Sequence, residues 1–300
     1  MVPDGLDGER VDVAAARMTG VSRSRMGDLI DEGAVRLAGH CVERAATRVR
    51  AGDLLEVELD PPRQVQVVPQ QVAGMRIVHD DRDIVVVDKP AGVAAHPSLG
   101  WDGPDVVSGL AGAGFRISTS GAPERQGIVH RLDVGTSGLM VVAKSELAYT
   151  VLKQAFREHT VDKLYLAVIQ GRLDPLRGTI DAPIGRHPGA TWKFAVVPDG
   201  RPAITHYTTV ELLHGASLLE IQLETGRTHQ IRVHMAAVHH PCVGDPLYGS
   251  DPVLAARLGL QRQWLHATRL GFVHPGTGEY VQYTSEPSPD LAQALEQLRI

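Results

Sequence analysis

The sequence predicts an α+β protein in which a small module of two helices and short strands precedes a larger domain. That domain is expected to be a largely antiparallel, mixed β-sheet with flanking helices. Strand-like segments rich in β-branched residues recur after about residue 80, and several are separated by Gly or Pro turns. Helical patterns are fewer and do not alternate regularly with strands, as they would in a doubly wound fold. A proline-rich break at 60–64 separates the two parts.

The break sets the predicted domain boundaries. We expect the small domain over 8–60, a linker over 61–74 and the larger domain over 75–300. A chain of 300 residues with 43% hydrophobic and 22% charged residues has the composition of a soluble globular protein with one large or two unequal domains.

Capping and periodicity predict the elements of the small domain. A first helix is expected over 11–18, and Ser22 is the expected N-cap of a second helix that ends at Gly33. Short strands are expected at 35–37 and at 55–59, where apolar residues alternate with glutamates. The predicted core positions of the second helix and the later strand are Met26, Leu29, Ile30, Leu55, Val57 and Leu59.

The larger domain is predicted to contain at least six strands and three helices. The helices are expected where apolar residues recur at helical spacing. The strands are predicted at 84–87, 139–143, 163–169, 203–212, 218–223 and 268–273, and the helices at 146–159, 228–238 and 289–298.

Composition excludes several classes of protein. The longest aliphatic run covers only 84–87, far short of the roughly 18 residues that span a bilayer, and the acidic first ten residues lack a hydrophobic signal core. Two cysteines without a CxxC motif indicate neither a disulfide framework nor a zinc ribbon. We therefore expect a cytoplasmic protein with no membrane partner.

Known cofactor motifs are missing from the sequence. It has no GxxxxGK[ST] phosphate loop and no complete GxGxxG fingerprint, so we expect no nucleotide cofactor. The stretch Gly135-Thr136-Ser137-Gly138-Leu139 lacks the last glycine of a GxSxG nucleophile elbow. His229 and His234 are five residues apart, off the i,i+4 spacing that puts two histidines on one metal, so we expect no metal.

One segment concentrates reactive side chains. Residues 127–144 place His130, Arg131 and Asp133 in a polar, glycine-containing turn between two apolar strands. A loop held by a rigid scaffold commonly carries function. The alternative is that Asp133 only bonds its own backbone in an Asx turn.

Four ordered motifs resemble one known family. His130-Arg131-Leu132-Asp133 followed by Thr136-Ser137-Gly138-Leu139 resembles the HRLD-x-x-TSG active-site motif of the RluA family of pseudouridine synthases. Three further family-like segments follow the expected order: KPAG with His96-Pro97, KLYLA, and GRTHQIRVH, which begin at Lys89, Lys163 and Gly226. Shorter similarities are GDPLYG from Gly244 and LHA from Leu265, so the resemblance covers about 75–285.

The small domain resembles a second family. Arg10-Val11-Asp12, Ser22-Arg23-Ser24-Arg25, Gly33-x-Val35 and Gly52-Asp53 are similar to an S4 RNA-binding domain, although 36–39 read RLAG where that family usually has V-N-G. The resemblance implies that Arg23 and Arg25 contact RNA. The alternative is an ordinary solvated helix face. An S4 domain before an RluA-type domain is the arrangement of RluD-like and RluC-like enzymes, and the segment from His240 is more similar to the RluD branch.

The resemblance implies an isomerisation that breaks the N1–C1′ bond of a uridine and rejoins the base through C5, without a consumed cofactor. Asp133 matches the family's essential aspartate; attack at C1′, addition at C6 and removal of the C2′ proton remain open. It must be ionised to act, so a buried Asp133 needs an arginine beside it. By resemblance that partner is Arg232, with Arg227 as second choice; a phosphate contact is the alternative role for either.

Two further side chains receive roles from the resemblance. Arg131 is expected to fill the place of the extruded base, because a planar guanidinium can stack. Tyr165 is expected to lie on that base; the alternative is a core tyrosine, but Lys163 on the same strand face favours an exposed rim. His130, His229 and His234 are interpreted mainly as turn and network residues.

We therefore predict a monomeric RNA pseudouridine synthase, an isomerase acting on RNA, with 23S ribosomal RNA or a large-subunit precursor as partner. The net charge of −5 is mild evidence against nucleic-acid binding. Residues 21–50 contain six arginines and four acidic residues, and this local basic excess weakens the argument from net charge. The alternatives are an S4-type RNA-binding or ribosome-assembly factor with an inactive synthase fold, and a small-molecule glycosidase or nucleosidase, which would usually need a second positioned acid.

Overall fold

A computed structural model describes residues 1–59, 67–98 and 100–299, without the side chain of Thr191. The chain divides into two compact units, Met1–Gln64 and Val65–Ile300. The predicted break at 60–64 lies outside the described residues. The division between the two units falls after Gln64, the last residue of that break. Within those residues, no helix is long and apolar enough to cross a membrane.

The first unit packs two helices and a small antiparallel sheet around one apolar core. Ser22 caps the second helix, as predicted, because its side chain accepts a hydrogen bond from the Arg25 amide. The prediction that Leu59 belongs to a half-buried strand is wrong, since the strand ends at Val57 and Leu59 is 44% exposed. The helices are α1 Val11–Thr19 and α2 Arg23–Asp31; the strands are β1 Val35–Leu37, β2 His40–Cys41 and β3 Leu55–Val57, in the order β2-β1-β3.

The second unit is built on a nine-stranded sheet. All six predicted strands are present in it. The members are β4 Arg76–Asp80, β5 Ile84–Lys89, β6 Ser137–Ala143, β7 Asp162–Gln170, β8 Arg177–Asp181, β11 Ile204–Leu213, β12 Ala216–Leu223, β13 Leu265–Val273 and β14 Tyr280–Thr284. The order is β4-β5-β6-β13-β7-β12-β11-β8, and β14 pairs with β13.

One strand pair determines the position of the site. Among the described strands, β6 and β13 form the parallel pair, and the remaining ladders are antiparallel. Because parallel strands begin at the same sheet edge, the segments that enter β6 and β13 lie side by side. Within the pair, Gly138 has φ +116°, and a Cβ there would lie 2.3 Å from the Ala267 carbonyl oxygen.

Five α-helices belong to the described part of the second unit. They are α3 Val106–Gly112, α4 Glu146–Arg157, α5 Gln230–Ala237, α6 Pro252–Arg257 and α7 Pro289–Arg299. Helix α4 contacts β6 of the large sheet, and α5 contacts β11. A separate two-stranded sheet pairs β9 Ile184–His187 with β10 Ala190–Val196, and β10 contacts α5. Together these elements form the predicted α+β architecture with its mainly antiparallel sheet.

Candidate active site

The site is organised around a tight turn that we call the Asp133 turn, residues 133–137. The Thr136 amide donates to the Asp133 carbonyl at 3.0 Å, which closes the turn just before β6. Gly135 allows the turn to pack closely, because a Cβ there would lie 2.6 Å from the Gln263 side chain. The Asp133 carboxylate is 15% exposed and lines an open pocket.

Arg232 faces Asp133 from helix α5 and is almost fully buried. Its Nη1 donates to Asp133 Oδ2 at 3.3 Å, while its Nε and Nη2 donate to the two oxygens of Asp245 at 2.7 and 2.8 Å. Burial alone would lower the pKa of Arg232, but the Asp245 hydrogen bonds and the Asp133 charge raise it above its ordinary value. The guanidinium therefore remains a cation beside the Asp133 carboxylate.

Tyr165 is a buried residue of strand β7 that lines the pocket. It is 8% exposed, in β7 between Ile221 of β12 and Ala267 of β13, and it lines the same cavity as Asp133. The expectation of an exposed rim is wrong, because Tyr165 belongs to a buried apolar cluster and the Lys163 ammonium lies over the Phe156 ring, 6.0 Å from its centroid. Burial, followed by the Asp133 charge, raises the pKa of the Tyr165 hydroxyl, so the phenol keeps its proton.

Arg131 and Arg227 lie on the pocket wall in different environments. Arg131 is exposed and makes no hydrogen bond or ion pair with the described residues. Arg227 is half-buried and its Nε donates to the Pro202 carbonyl at 2.9 Å. Arg232 rather than Arg227 therefore makes the direct contact with Asp133.

The predicted RNA-contacting arginines of the first unit both form intramolecular ion pairs. Arg23 Nε lies 2.8 Å from Asp12 Oδ2, and Arg25 Nη1 lies 2.8 Å from Glu32 Oε1. Their side chains remain 58% and 40% exposed. Each guanidinium can thus still meet a phosphate at the surface of this unit.

The three motif histidines differ in their environments. His130 Nε2 accepts from the Val141 amide and its ring stacks on Phe156, and His234 bonds Thr205 and the Ala182 carbonyl. These two have the network roles predicted for them.

His229, in contrast, lines the pocket. Its Nε2 lies 3.9 Å from Asp133 Oδ1, and its Nδ1 lies 2.7 Å from the Tyr248 hydroxyl. The residue has φ 57° at the N-cap of α5, a left-handed conformation that fixes where the ring points. Burial lowers the pKa of His229, against the opposing effect of Asp133.

Sequence reasoning missed three residues that organise this pocket. Gln230 bonds the Thr225 hydroxyl, the Arg227 amide and the Ile204 carbonyl, which fixes the turn before α5. Asp245 accepts hydrogen bonds from Arg232, and the Tyr248 hydroxyl bonds His229. Asp245 and Tyr248 belong to the GDPLYG segment, which supports the family resemblance but does not indicate which residues they contact.

A His-Asp-His group lies outside the pocket, where His79, Asp81 and His274 bring three potential ligand atoms within 4.8 Å of one another. The His274 Nδ1 accepts from the amides of Gly276 and Thr277, so its Nε2 carries the proton and donates to Asp81. A ring in this tautomer offers no lone pair at Nε2. The group is therefore suited to hydrogen bonding between strand ends rather than to holding an ion.

Comparison with known families identifies both parts of the chain. Residues 83–237 match the family model described as RNA pseudouridylate synthase, and residues 9–55 match the S4 domain. The chain belongs to the RNA pseudouridylate synthase family. The family resemblance found in the sequence is thereby confirmed, and with it the prediction of an isomerase that acts on RNA uridines.

Relatives in this family align over nearly the whole chain. An uncharacterized RNA pseudouridine synthase of Mycobacterium bovis is 59% identical, covering 99% of this chain and 97% of its own length. Ribosomal large subunit pseudouridine synthase D of Xanthomonas campestris is 40% identical over 100% of this chain and 92% of its own. The same-named protein of Zymomonas mobilis is 39% identical, with coverages of 98% and 95%.

Solved structures of pseudouridylate synthases share this fold. Human RNA pseudouridylate synthase domain containing 1 matches with a TM-score of 0.60 and 29% identity, covering 75% of this chain and 89% of that one. The predicted fold class is thus confirmed by structural comparison as well. The functional assignments of Asp133, Tyr165, Arg232 and the RNA-contacting arginines stay predictions.

Proposed function

We propose that this synthase isomerises specific uridines in large-subunit ribosomal RNA. The pocket geometry carries the proposal: the Asp133 carboxylate is open to an incoming nucleotide and is held beside the buried Arg232 cation at 3.3 Å. The substrate class is supported by the large-subunit synthases from Xanthomonas and Zymomonas, which align with almost the whole chain. An inactive RNA-binding factor is not favoured, because the pocket retains a complete set of reactive groups.

Asp133 is the reactive carboxylate in this proposal. Whether it attacks C1′, adds to C6 or removes the C2′ proton, it must begin ionised. Arg232 places a buried cation and one hydrogen-bond donor beside this carboxylate, and Asp245 prevents the guanidinium from moving fully onto Asp133. The reaction exchanges an N1–C1′ bond for a C5–C1′ bond within one nucleotide. Substrate and product contain the same atoms and electrons, so the reaction consumes no cofactor.

Tyr165 contacts the extruded base in this proposal. Tyr165 lines the pocket beside Asp133, and its protonated hydroxyl can donate a hydrogen bond to uracil. When C5 has joined C1′, the C5 proton must leave and N1 must gain one. A hydroxyl in the pocket is suitably placed to take part in that exchange.

Arg131 and Arg227 are proposed to contact RNA. Extruding a base costs a few kcal/mol unless its place in the stack is filled. Arg131 is suited to that role because its guanidinium is exposed at the pocket mouth with all its donors available among the described residues. Arg227 keeps donors beyond its Pro202 bond and can meet the backbone phosphates.

The first unit is proposed to deliver RNA to the second. We assign RNA binding to residues 8–60 through Arg23 and Arg25, a linking role to 61–74 and catalysis to 75–300. The S4 match over 9–55 and the exposed arginines support this division of labour. We also propose a monomer acting in the cytoplasm. The proposed ribosomal substrate supports the cytoplasmic location.

The test is pseudouridine mapping of total RNA from cells that lack the protein. Complementation with wild type should restore particular large-subunit positions, whereas Asp133→Asn should restore none while retaining RNA affinity within a few-fold. Asp251→Asn is the matched control, since it removes an exposed carboxylate outside the pocket. Full modification by Asp133→Asn would refute the role of Asp133, and no change at any ribosomal position would favour an RNA-binding factor.

A further inference from the structure

Arg262 lies outside the pocket but bonds directly to the Asp133 turn. It precedes β13, just as that turn precedes β6, and the parallel pairing of the two strands brings the segments together. Its Nη1 donates to the Gly135 carbonyl at 3.2 Å and to the Ser137 hydroxyl at 3.3 Å. The side chain is 11% exposed, so these bonds form largely away from water.

The other donors of Arg262 hold the beginning of helix α7. Nε and Nη2 donate to the two carboxylate oxygens of Asp290 at 2.7 and 2.9 Å, and Nη2 also donates to the Ser288 hydroxyl at 2.7 Å. The bidentate pair fixes the plane of the guanidinium. Its Nη1 therefore points at the Asp133 turn in one orientation.

Helix α7 provides a rigid base for this arrangement. Leu291, Ala294 and Leu298 are buried in one apolar cluster with Trp264, and the Trp264 indole donates to the Leu291 carbonyl at 2.8 Å. The chain around Arg262 is thus anchored to α7 by packing as well as by charge. A movement at the start of α7 would displace the Arg262 guanidinium and, with it, the Asp133 turn.

Neighbouring residues hold the same turn from the β13 side. Gln263 Nε2 donates to the Thr136 hydroxyl at 3.0 Å, and the Ser137 hydroxyl pairs with His266 Nδ1 at 2.9 Å. Arg262 differs from both because it also reaches α7. It is the residue through which a distant helix can set the position of Asp133.

We propose that Arg262 is a positioning residue that locks the Asp133 turn to the start of helix α7, and that efficient isomerisation depends on the Arg262–Asp290 pair. The proposal rests on the function proposed above. Reacting groups must be held closely, since a displacement of about 1 Å can cost about a hundredfold in rate. Arg262 touches no substrate in this scheme and acts only through the turn.

The opposite end of α7 supplies a matched control. Arg299 makes a second bidentate pair, in which Nε and Nη2 donate to the Glu211 carboxylate on β11 at 2.9 and 2.8 Å. This pair anchors the same helix but has no contact with the Asp133 turn. Arg262→Met and Arg299→Met each remove one arginine whose ion pair anchors α7, and only the first releases the turn.

The experiment measures turnover on ribosomal RNA, melting temperature and hydrogen exchange for both variants in the full chain. For Arg262→Met we expect kcat to fall about tenfold or more with KM within about twofold. Exchange in the peptide covering 133–138 should rise at a temperature well below the melting point. Arg299→Met should leave kcat and that exchange within about twofold, and Arg262→Lys should be intermediate because one ammonium cannot reach both sides.

Equal effects of the two methionine variants on kcat, or unchanged exchange at 133–138 in Arg262→Met, would overturn the proposal. If Arg262→Met does not fold, Asp290→Asn and Ser288→Ala weaken the same connection from the α7 side and are judged by the same readouts. The exchange measurement also separates the two proposals. If wild type shows no turnover on any RNA, the proposed function fails, while faster exchange in Arg262→Met would still support the positioning role.

Discussion

Arg232 and Asp245 form a buried bidentate ion pair whose side chains are 4% and 0% exposed. The Asp245 carboxylate also accepts the amides of Leu247 and Tyr248, so its own position is fixed. Two carboxylates therefore share one guanidinium unequally: Asp245 holds two donors at 2.7 and 2.8 Å, and Asp133 holds one at 3.3 Å. This inequality keeps a cation beside Asp133 without a second strong bond that would restrain it.

Asp245→Asn should lower both activity and stability. The variant removes the charge that balances Arg232, and the released guanidinium can move onto Asp133 and restrain it. Breaking a buried pair by removing one partner costs about 3–5 kcal/mol, and the remaining amide oxygen should hold the loss near the lower end. Urea unfolding and steady-state turnover measure the two effects, and we expect kcat to fall by about tenfold or more. Asp251→Asn serves again as control; wild-type turnover in Asp245→Asn would contradict this role.

Gly138→Ala should disrupt the pairing of β6 with β13. A Cβ at this position would lie 2.3 Å from the Ala267 carbonyl oxygen, at φ +116°, so the strands would have to separate. We expect a loss of roughly 3 kcal/mol or more in the free energy of unfolding. Gly278→Ala is the control, because it has φ +74° with open space around it and should cost only about 1–2 kcal/mol. Equal unfolding midpoints for the two variants would show that the close approach has no energetic importance.

The stability of the first unit should depend on pH through Asp12. Hydrogen bonds from Arg10, and also from Arg23, lower the pKa of this buried carboxyl to about 2, although burial opposes them. Because the folded-state pKa lies below the unfolded value of 3.8, the stabilisation is complete above about pH 4 and is lost as pH falls through 2. In Asp12→Asn this acid-dependent contribution should be absent.

A fluorophore on the exposed thiol of Cys41 reports unfolding of this unit within the full chain, since Cys242 is buried. Urea titrations at pH 5 and pH 2.5 should give a larger difference between wild type and Asp12→Asn at the higher pH. Asp31→Asn removes an exposed carboxylate near the end of α2 and should behave as wild type at both values. A difference between wild type and Asp12→Asn that does not change with pH would refute the assignment.

The fold could be predicted where local pattern and tertiary environment agree. Strand β6 is a continuous apolar run because both its faces are buried, and α4 carries its apolar stripe at helical spacing. Helix α3 was missed because Gly109 and Gly112 interrupt its pattern. A Cβ at Gly112 would lie 2.2 Å from the Gln70 carbonyl oxygen, so this glycine serves a close approach rather than a turn. Strand β9 was missed because its four residues include one aliphatic side chain, and β10 was missed although Trp192, Phe194 and Val196 recur at alternate positions.

Only the site residues that belong to family motifs could be predicted from the sequence. The family resemblance pointed to Asp133, Tyr165 and Arg232, and the structure brings these three to one pocket. Nothing in the sequence indicates that Asp245 meets Arg232, because that pairing depends on how the loop after α5 folds back. The left-handed backbone that directs His229 into the pocket likewise depends on tertiary contacts with Tyr248.

The separation between Arg262 and the Asp133 turn has a consequence for biosynthesis. Gly135 and the Arg262 guanidinium that bonds it are 127 residues apart in the chain, and Asp290, which orients that guanidinium, comes later still. A nascent polypeptide that has already emerged with its HRLD segment therefore lacks the support for that segment until translation reaches α7. Maturation of the enzyme is consequently a late step, completed only after nearly the whole of this sequence has left the ribosome.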